Sequence, residues 1–316
     1  MAGPSIETKG LTKRYGSFTA LAELNLKLEG AKCVGFLGPN GAGKTTTLKM
    51  LTDLIFPTAG EAFLNGISVR KERKRALAEC GALIETPEIY PSLTPKEALH
   101  MVADLRGVAK GEQDRRIEEV LAEVKMSEWA DKKVGKFSKG MKQRVNIAAT
   151  LVSDPPIVML DEPSSGLDPR GMAEVRDIIR GLKRHNRLIF FSSHILSEVT
   201  EVCDEVAMID RGQLLFYDTL DGVTSKFSAG QTAIEVSFSR PVTEADVKDR
   251  LGALPGVTAC ERLDPRKVRL RLKGGLAEQE RVFEGVASLH LGAIGFRESG
   301  NALEEIYMNQ IEKGDR

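Results

Sequence analysis

Eight consecutive residues, Gly38-Pro39-Asn40-Gly41-Ala42-Gly43-Lys44-Thr45, set glycines, a lysine and a hydroxyl in the spacing G-x-x-x-x-G-K-[ST]. Glycine reaches positive φ without steric cost and has no side chain to block close approach, so such a loop can turn its N–H groups inward around phosphate oxygens. A helix starting near Gly43 adds the positive end of its dipole at the same point. Lys44 is then placed to bridge the β- and γ-phosphates of an ATP or GTP, and the hydroxyls of Thr45 and its neighbour Thr46 to face phosphate and Mg²⁺.

A second stretch offers the complementary chemistry. Ile157-Val158-Met159-Leu160 reads as a strand buried on both faces, and Asp161 and Glu162 follow at its end. Asp161 can help bind Mg²⁺, and Glu162 can polarise a water for in-line attack on the γ-phosphorus, a general-base role.

These residues need a frame that brings strand ends together. The apolar run Cys33 to Leu37 predicts a strand ahead of the glycine-rich loop, and Thr45 to Leu54 a helix after it. Ile6 to Tyr15 and Thr19 to Leu28 predict antiparallel strands, and Ala62 to Val69 a short strand pair. Helices follow from Pro95, with Ala98, Met101, Val102 and Leu105 as an apolar face, then Ile117, Val120, Leu121 and Val124. Helix Lys139 to Leu151, helix Gly171 to Arg184, strand Arg187 to Phe191, helix Leu196 to Val202 and strand Val206 to Ile209 complete an α/β region with a largely parallel sheet. Beyond Asp218 the order is strand Thr232 to Phe238, helix Glu244 to Leu251, a hairpin of Val257 to Arg262 with Lys267 to Leu272, helix Ala277 to Leu289, strand Gly292 to Phe296 and a helix from Ala302. The βαββαβ part predicts a small ferredoxin-like unit. The expected division is 1–220, with a helical subdomain at about 86–153, and an accessory α+β domain at 221–316.

Composition narrows the classes. A chain of 316 residues suits two domains, and a formal net charge of zero gives no electrostatic reason to expect nucleic acid. The four cysteines lie far apart without metal-ligand spacing, which predicts reduced thiols and no zinc site. The N-terminus has no apolar h-region and no apolar run approaches the ~20 residues that span a bilayer. The basic run Arg70 to Arg75 is interrupted by Glu72 and reads as an exposed helix start, and Trp129 as an anchor under the helical subdomain.

Phe137-Ser138-Lys139-Gly140-Met141 opens a helix, with Ser138 suited to an N-cap. Here the chain resembles the ATP-binding-cassette (ABC) ATPases, whose signature, usually Leu-Ser-Gly-Gly-Gln, precedes the metal-binding strand in the same way. Ser138 and Gly140 match that signature; Phe137, Lys139 and Met141 depart from it. The resemblance covers about residues 5 to 217. It implies a P-loop nucleotide-binding domain with a RecA-like core, an antiparallel β subdomain and a helical subdomain. It also implies that Ser138, Lys139, Gly140 and Met141 act in trans on nucleotide held by a second subunit. Ser165-Gly166-Leu167-Asp168 is similar to the D-loop at that seam, His194 to the switch histidine that contacts the γ-phosphate, and Tyr15 to the aromatic residue that stacks on adenine.

Where the family commonly has a glutamine, Ala82-Leu83-Ile84-Glu85-Thr86-Pro87 carries Glu85, which adds a charge to a position implied to hold Mg²⁺. Glu85 and the Ser-Lys-Gly-Met signature resemble a subgroup of ABC-2-type export ATPases that includes bacitracin-resistance and lantibiotic-immunity members. The segment Ala302 to Tyr307 is similar to the end of many drug-export cassettes. The implied function is the ATP-hydrolysing motor of an exporter, a homodimer or a pair with a homologue. Its cofactors would be ATP and Mg²⁺, its partners separate transmembrane permease subunits, and its location the cytoplasmic face of the membrane. The alternative is a soluble ABC ATPase remodelling a ribosome or DNA-repair complex; such relatives usually carry two cassettes or large insertions, and this chain has one cassette and neither insertion.

Overall fold

A computed structural model describes residues 3–85, 88–223, 231–274 and 276–299. The chain divides into two compact units, Met1–Leu220 and Asp221–Arg316.

The first unit runs β1 (Ser5–Tyr15), β2 (Phe18–Glu29), β3 (Cys33–Leu37), α1 (Lys44–Leu51), β4 (Ala59–Leu64), β5 (Ile67–Ser68), α2 (Arg73–Ala78) and β6 (Cys80–Leu83). It continues through α3 (Pro95–Leu105), α4 (Lys110–Glu123), α5 (Lys139–Leu151), β7 (Ile157–Asp161), α6 (Pro169–Leu182), β8 (Leu188–Ser193), α7 (Leu196–Val202), β9 (Glu205–Asp210) and β10 (Gln213–Thr219). An antiparallel sheet has the order β2-β1-β4-β5, and a second sheet the order β10-β9-β3-β8-β7-β6. All neighbours in the second sheet are parallel except β10 on β9. Every residue of β3, β7 and β8 is buried, as expected for strands covered on both faces. The core of this unit gathers Val34, Phe36, Met159 and Phe190 with Leu48 and Leu51 of α1.

Register decides what leaves the sheet together. Leu37 aligns with Ser193, and Asp161 with Ser192. The glycine-rich loop, the two carboxylates and His194 therefore emerge from the carboxyl ends of three adjacent parallel strands, where open α/β sheets bind ligands.

At the start of β8, Arg187 is 2% exposed and holds two carboxylates, Glu123 at the end of α4 through Nη1 at 2.9 Å and Asp154 through Nη2 at 2.8 Å. Burial of a guanidinium is tolerated only with such partners.

The helical segment differs from expectation in one face. Helix α3 begins at a capping box, Thr94 accepting from the Glu97 N–H while the Glu97 carboxylate accepts from the Thr94 N–H. It buries Pro95, Ala98, Leu99 and Ala103 and leaves Met101 and Leu105 exposed. Leu99 and Ala103 outcompete the longer side chains because the helix carries apolar residues on more than one side, and packing on its neighbours selects the face. Cys80–Leu83, a strand that the sequence analysis did not predict, pairs with β7.

The second unit contains β11 (Gln231–Phe238), a π-helical turn Asp246–Leu251 where an α-helix was expected, β12 (Val257–Asp264), β13 (Lys267–Lys273), α8 (Leu276–Ser288) and β14 (Ala293–Ser299). Its antiparallel sheet has the order β12-β13-β11-β14, the ferredoxin-like arrangement. Alternate residues Ile234, Val236, Phe238 and Val268, Leu270, Leu272 meet Val282 and Val286 of α8 in its core. The helix expected from Ala302 lies outside the described residues.

Candidate functional site

Each glycine of the loop has a steric reason. Gly41 and Gly43 sit at φ 82° and 104°, and a Cβ on Gly43 would stand 2.6 Å from the Ala20 carbonyl oxygen. A Cβ on Gly38 would come within 2.2 Å of the Ile209 carbonyl oxygen, so the loop is pressed against β9. Helix α1 starts at Lys44 with Gly43 as its N-cap, and no side chain caps its first N–H groups. Those donors and the dipole behind them are available to an anion.

Lys44 is 4% exposed, and its ammonium has three donors. They face the carbonyl oxygens of Gly38 at 2.8 Å and Pro39 at 3.0 Å, and Glu162 Oε1 at 3.4 Å. Burial pulls its pKa below the ordinary lysine value, against the opposing pull of the Glu162 carboxylate.

The two carboxylates are held by different partners. Asp161 takes the Thr45 hydroxyl at 2.9 Å on Oδ2 and the Ser192 hydroxyl at 2.6 Å on Oδ1. Ser192 Oγ in turn accepts from the Glu162 N–H at 2.9 Å, pinning a residue whose φ is 43°. Glu162 Oε2 lies 3.2 Å from His194 Nδ1 and Oε1 3.4 Å from Lys44 Nζ, so the imidazole and the ammonium stand beside the two oxygens of one carboxylate. This aims Glu162 while leaving its side chain a quarter exposed, within reach of a water.

A cleft of about 300 Å³ joins these residues to an aromatic end. It is lined by Tyr15, Phe18 and Ala20 at one side and by Asn40, Gly41, Gly43, Lys44, Thr45, Thr46 and Glu162 at the other. Tyr15 pairs with Phe18 across the β1–β2 turn, so two half-exposed rings flank the space where a base would stack. A triphosphate fits the donors and a base the rings. Thr45 and Asp161 supply hard oxygens that would hold Mg²⁺ beside phosphate, neutralising charge there.

Glu85 is not among the described residues lining this cleft; it sits at φ 60° with its Oε1 2.5 Å from Lys49 Nζ on α1. Ser138 caps α5, accepting from the Met141 N–H at 3.2 Å. Gly140 packs against Gly171 at the start of α6, which is capped by Asp168. Lys139 Nζ lies over Gly166. None of Ser138, Lys139, Gly140 and Met141 is among the described residues lining the Lys44 cleft.

The ABC transporter family pattern matches residues 21–165. The bacitracin transport ATP-binding protein BcrA of Bacillus licheniformis is 44% identical over 211 residues, covering 66% of this chain and 68% of that one. The chain belongs to the ABC transporter ATP-binding family. Linearmycin resistance ATP-binding protein LnrL of Bacillus subtilis, 28% identical, aligns over 96% of this chain and 97% of its own, so the likeness extends through the second unit. A solved ATP-binding subunit of an ABC transporter superposes with TM-score 0.63 at 30% identity, covering 71% of this chain and 93% of that one.

As an ABC transporter ATP-binding subunit, the protein is an ATPase and binds ATP. Three residues of the site escaped the sequence reading. Phe18 faces Tyr15 across the β1–β2 turn, and the resemblance pointed only to Tyr15. Ser192 and Gln143 act across elements, Gln143 Nε2 donating to the Pro163 carbonyl at 2.8 Å and so tying α5 to the loop after Glu162.

Proposed function

We propose that this ABC ATPase is the motor subunit of an exporter that works as a head-to-tail pair coupled to separate transmembrane subunits at the cytoplasmic face of the membrane. Lys44, the N–H groups of residues 38–46 and the hydroxyl of Thr45 bind the phosphates, Thr45 and Asp161 hold Mg²⁺, Glu162 takes the proton of the attacking water, and His194 orients Glu162. Glu85 stays charge-paired with Lys49. Ser138 and Gly140 close the cleft of the second subunit with the helix end of α5. Binding of ATP thereby draws two subunits together, and hydrolysis releases them.

One observation carries this reading: the phosphate-binding, base-stacking and water-activating groups line one cleft, and the α5 tip that resembles the signature is absent from its described lining. The export direction is supported by the relatives, which are named for bacitracin transport and linearmycin resistance. Separate membrane-spanning partners are supported by the relatives' names as transport ATP-binding proteins; no helix among the described residues is long and apolar enough to cross a bilayer.

Mixing two inactive chains tests the pairing. Lys44→Ala keeps an intact α5 tip, and Ser138→Ala combined with Gly140→Asp keeps an intact phosphate loop. A mixed pair then holds one complete site, and ATPase activity returns. Absence of recovery, with both chains folded, overturns the shared site.

A further inference from the structure

The switch histidine is carried by a turn whose geometry is set by one buried carboxylate. Glu198, in the first turn of α7, is 4% exposed. Its Oε2 accepts the Ser193 hydroxyl at 2.7 Å, and its Oε1, also buried, accepts no hydrogen bond among the described residues. A carboxylate taken out of water and met by a single hydroxyl costs stability rather than adding to it. Groups kept at such a cost gather at functional sites.

The hydroxyl it meets is the pivot of the turn. Ser193 has one hydroxyl proton; with that proton committed to Glu198, a lone pair is left facing the Ile195 N–H, 2.9 Å away. The Ser193 carbonyl oxygen accepts from the Gly38 N–H, the first residue of the phosphate loop, at 3.3 Å. Ser193 therefore fixes the backbone on both sides of His194 and links it to the loop. Glu198 itself has little freedom, because a Cβ at Gly35 would stand 2.6 Å from Val199 Cγ1, so α7 lies hard against the strand that leads to Gly38.

We infer that Glu198 is a positioning residue for ATP hydrolysis: through Ser193 it orients the turn that sets His194 against Glu162. The inference rests on the proposed role of Glu162 and His194. With the carboxylate gone, the Ser193 hydroxyl is free to rotate, the Ile195 N–H loses its aligned acceptor, and the imidazole drifts from Glu162 Oε2. Nucleotide binding, made by the phosphate loop and the aromatic pair, is left in place.

Steady-state ATPase kinetics and thermal melting of the full chain test it. Glu198→Met fills the space without charge; kcat should fall about tenfold or more, as small misplacements at reacting groups do, with KM for ATP within about twofold and a melting temperature no lower than wild type. Glu198→Gln keeps an acceptor for Ser193 and should restore most of kcat. Ser193→Ala should reproduce the Met variant, and the double variant should be no slower than either alone. A Met variant with wild-type kcat, or one in which kcat and melting temperature fall together and Gln does not rescue, overturns the inference. Should the Met variant not fold, Ser193→Ala decides: wild-type turnover there overturns it. Unchanged turnover in a chain that passes the mixing experiment counts against Glu198 alone, and failure of mixing in a chain that shows these losses counts against the pairing alone.

Discussion

Thr45 Oγ1 lies 2.9 Å from Asp161 Oδ2, a hydroxyl of the first turn of α1 joined to the carboxylate at the end of β7. The two ligands proposed for Mg²⁺ are thus already in contact, oriented by Ser192 on the far side of Asp161. Thr45→Val and Asp161→Asn should each erase most of the gain in ATP affinity that Mg²⁺ confers, about tenfold or ~1.4 kcal/mol. Affinity for ATP in EDTA should barely change. Titration of a fluorescent nucleotide with and without the metal checks it; equal losses in both conditions would assign the pair to folding instead.

Glu162→Gln removes the acceptor for the water proton and keeps the shape. Turnover should drop about 10²–10⁴-fold, the usual worth of a positioned base, while ATP binding survives and a paired species accumulates on size exclusion. Hydrolysis near the wild-type rate would take the base role from Glu162.

Gly43→Ala should destabilise the cassette through its backbone. The position combines φ 104° with a Cβ 2.6 Å from the Ala20 carbonyl oxygen. A cost of about 1–3 kcal/mol is expected, at roughly 2–4 °C of melting temperature per kcal/mol. An unchanged melting curve would show that the loop relaxes freely.

Lys44 gives a pH signature of definite sign. Its folded pKa lies below the ordinary 10.5 because burial disfavours the ammonium. Below both values the desolvation cost is fully present. As pH rises from the folded value towards 10.5, the folded chain sheds a proton that the unfolded chain keeps, and the cost is relieved. Relative to wild type, Lys44→Met should therefore melt highest near neutrality, and its advantage should shrink as the pH approaches 10.5. A constant difference across that range would place the lysine's burden elsewhere.

Contiguous chemistry was legible in the residues. The glycine loop, the apolar strand ending in Asp161-Glu162 and the Ser138 cap each announce themselves within a few positions, since backbone conformation and strand burial are local demands. The sheet classes followed from the same patterns, and the ferredoxin-like order from the alternation of β11 and β13. What stayed hidden joins distant segments. Ser192 looks like any strand serine until register sets it opposite Asp161; Glu198 looks like a surface helix acid until α7 presses on Gly35. Met101 and Leu105 misled because a helix apolar on more than one side does not state which side its neighbours cover. Glu85, whose metal role the resemblance implied, also meets Lys49, a partner that spacing does not reveal.

Strand β8 is clamped at both extremities. Arg187 fastens its beginning to Glu123 on α4, and Ser192 and Ser193 fasten its end to Asp161, Glu198 and Gly38. One extended strand, bonded on both edges, thus joins α4 to the serines that hold Asp161 and Glu198.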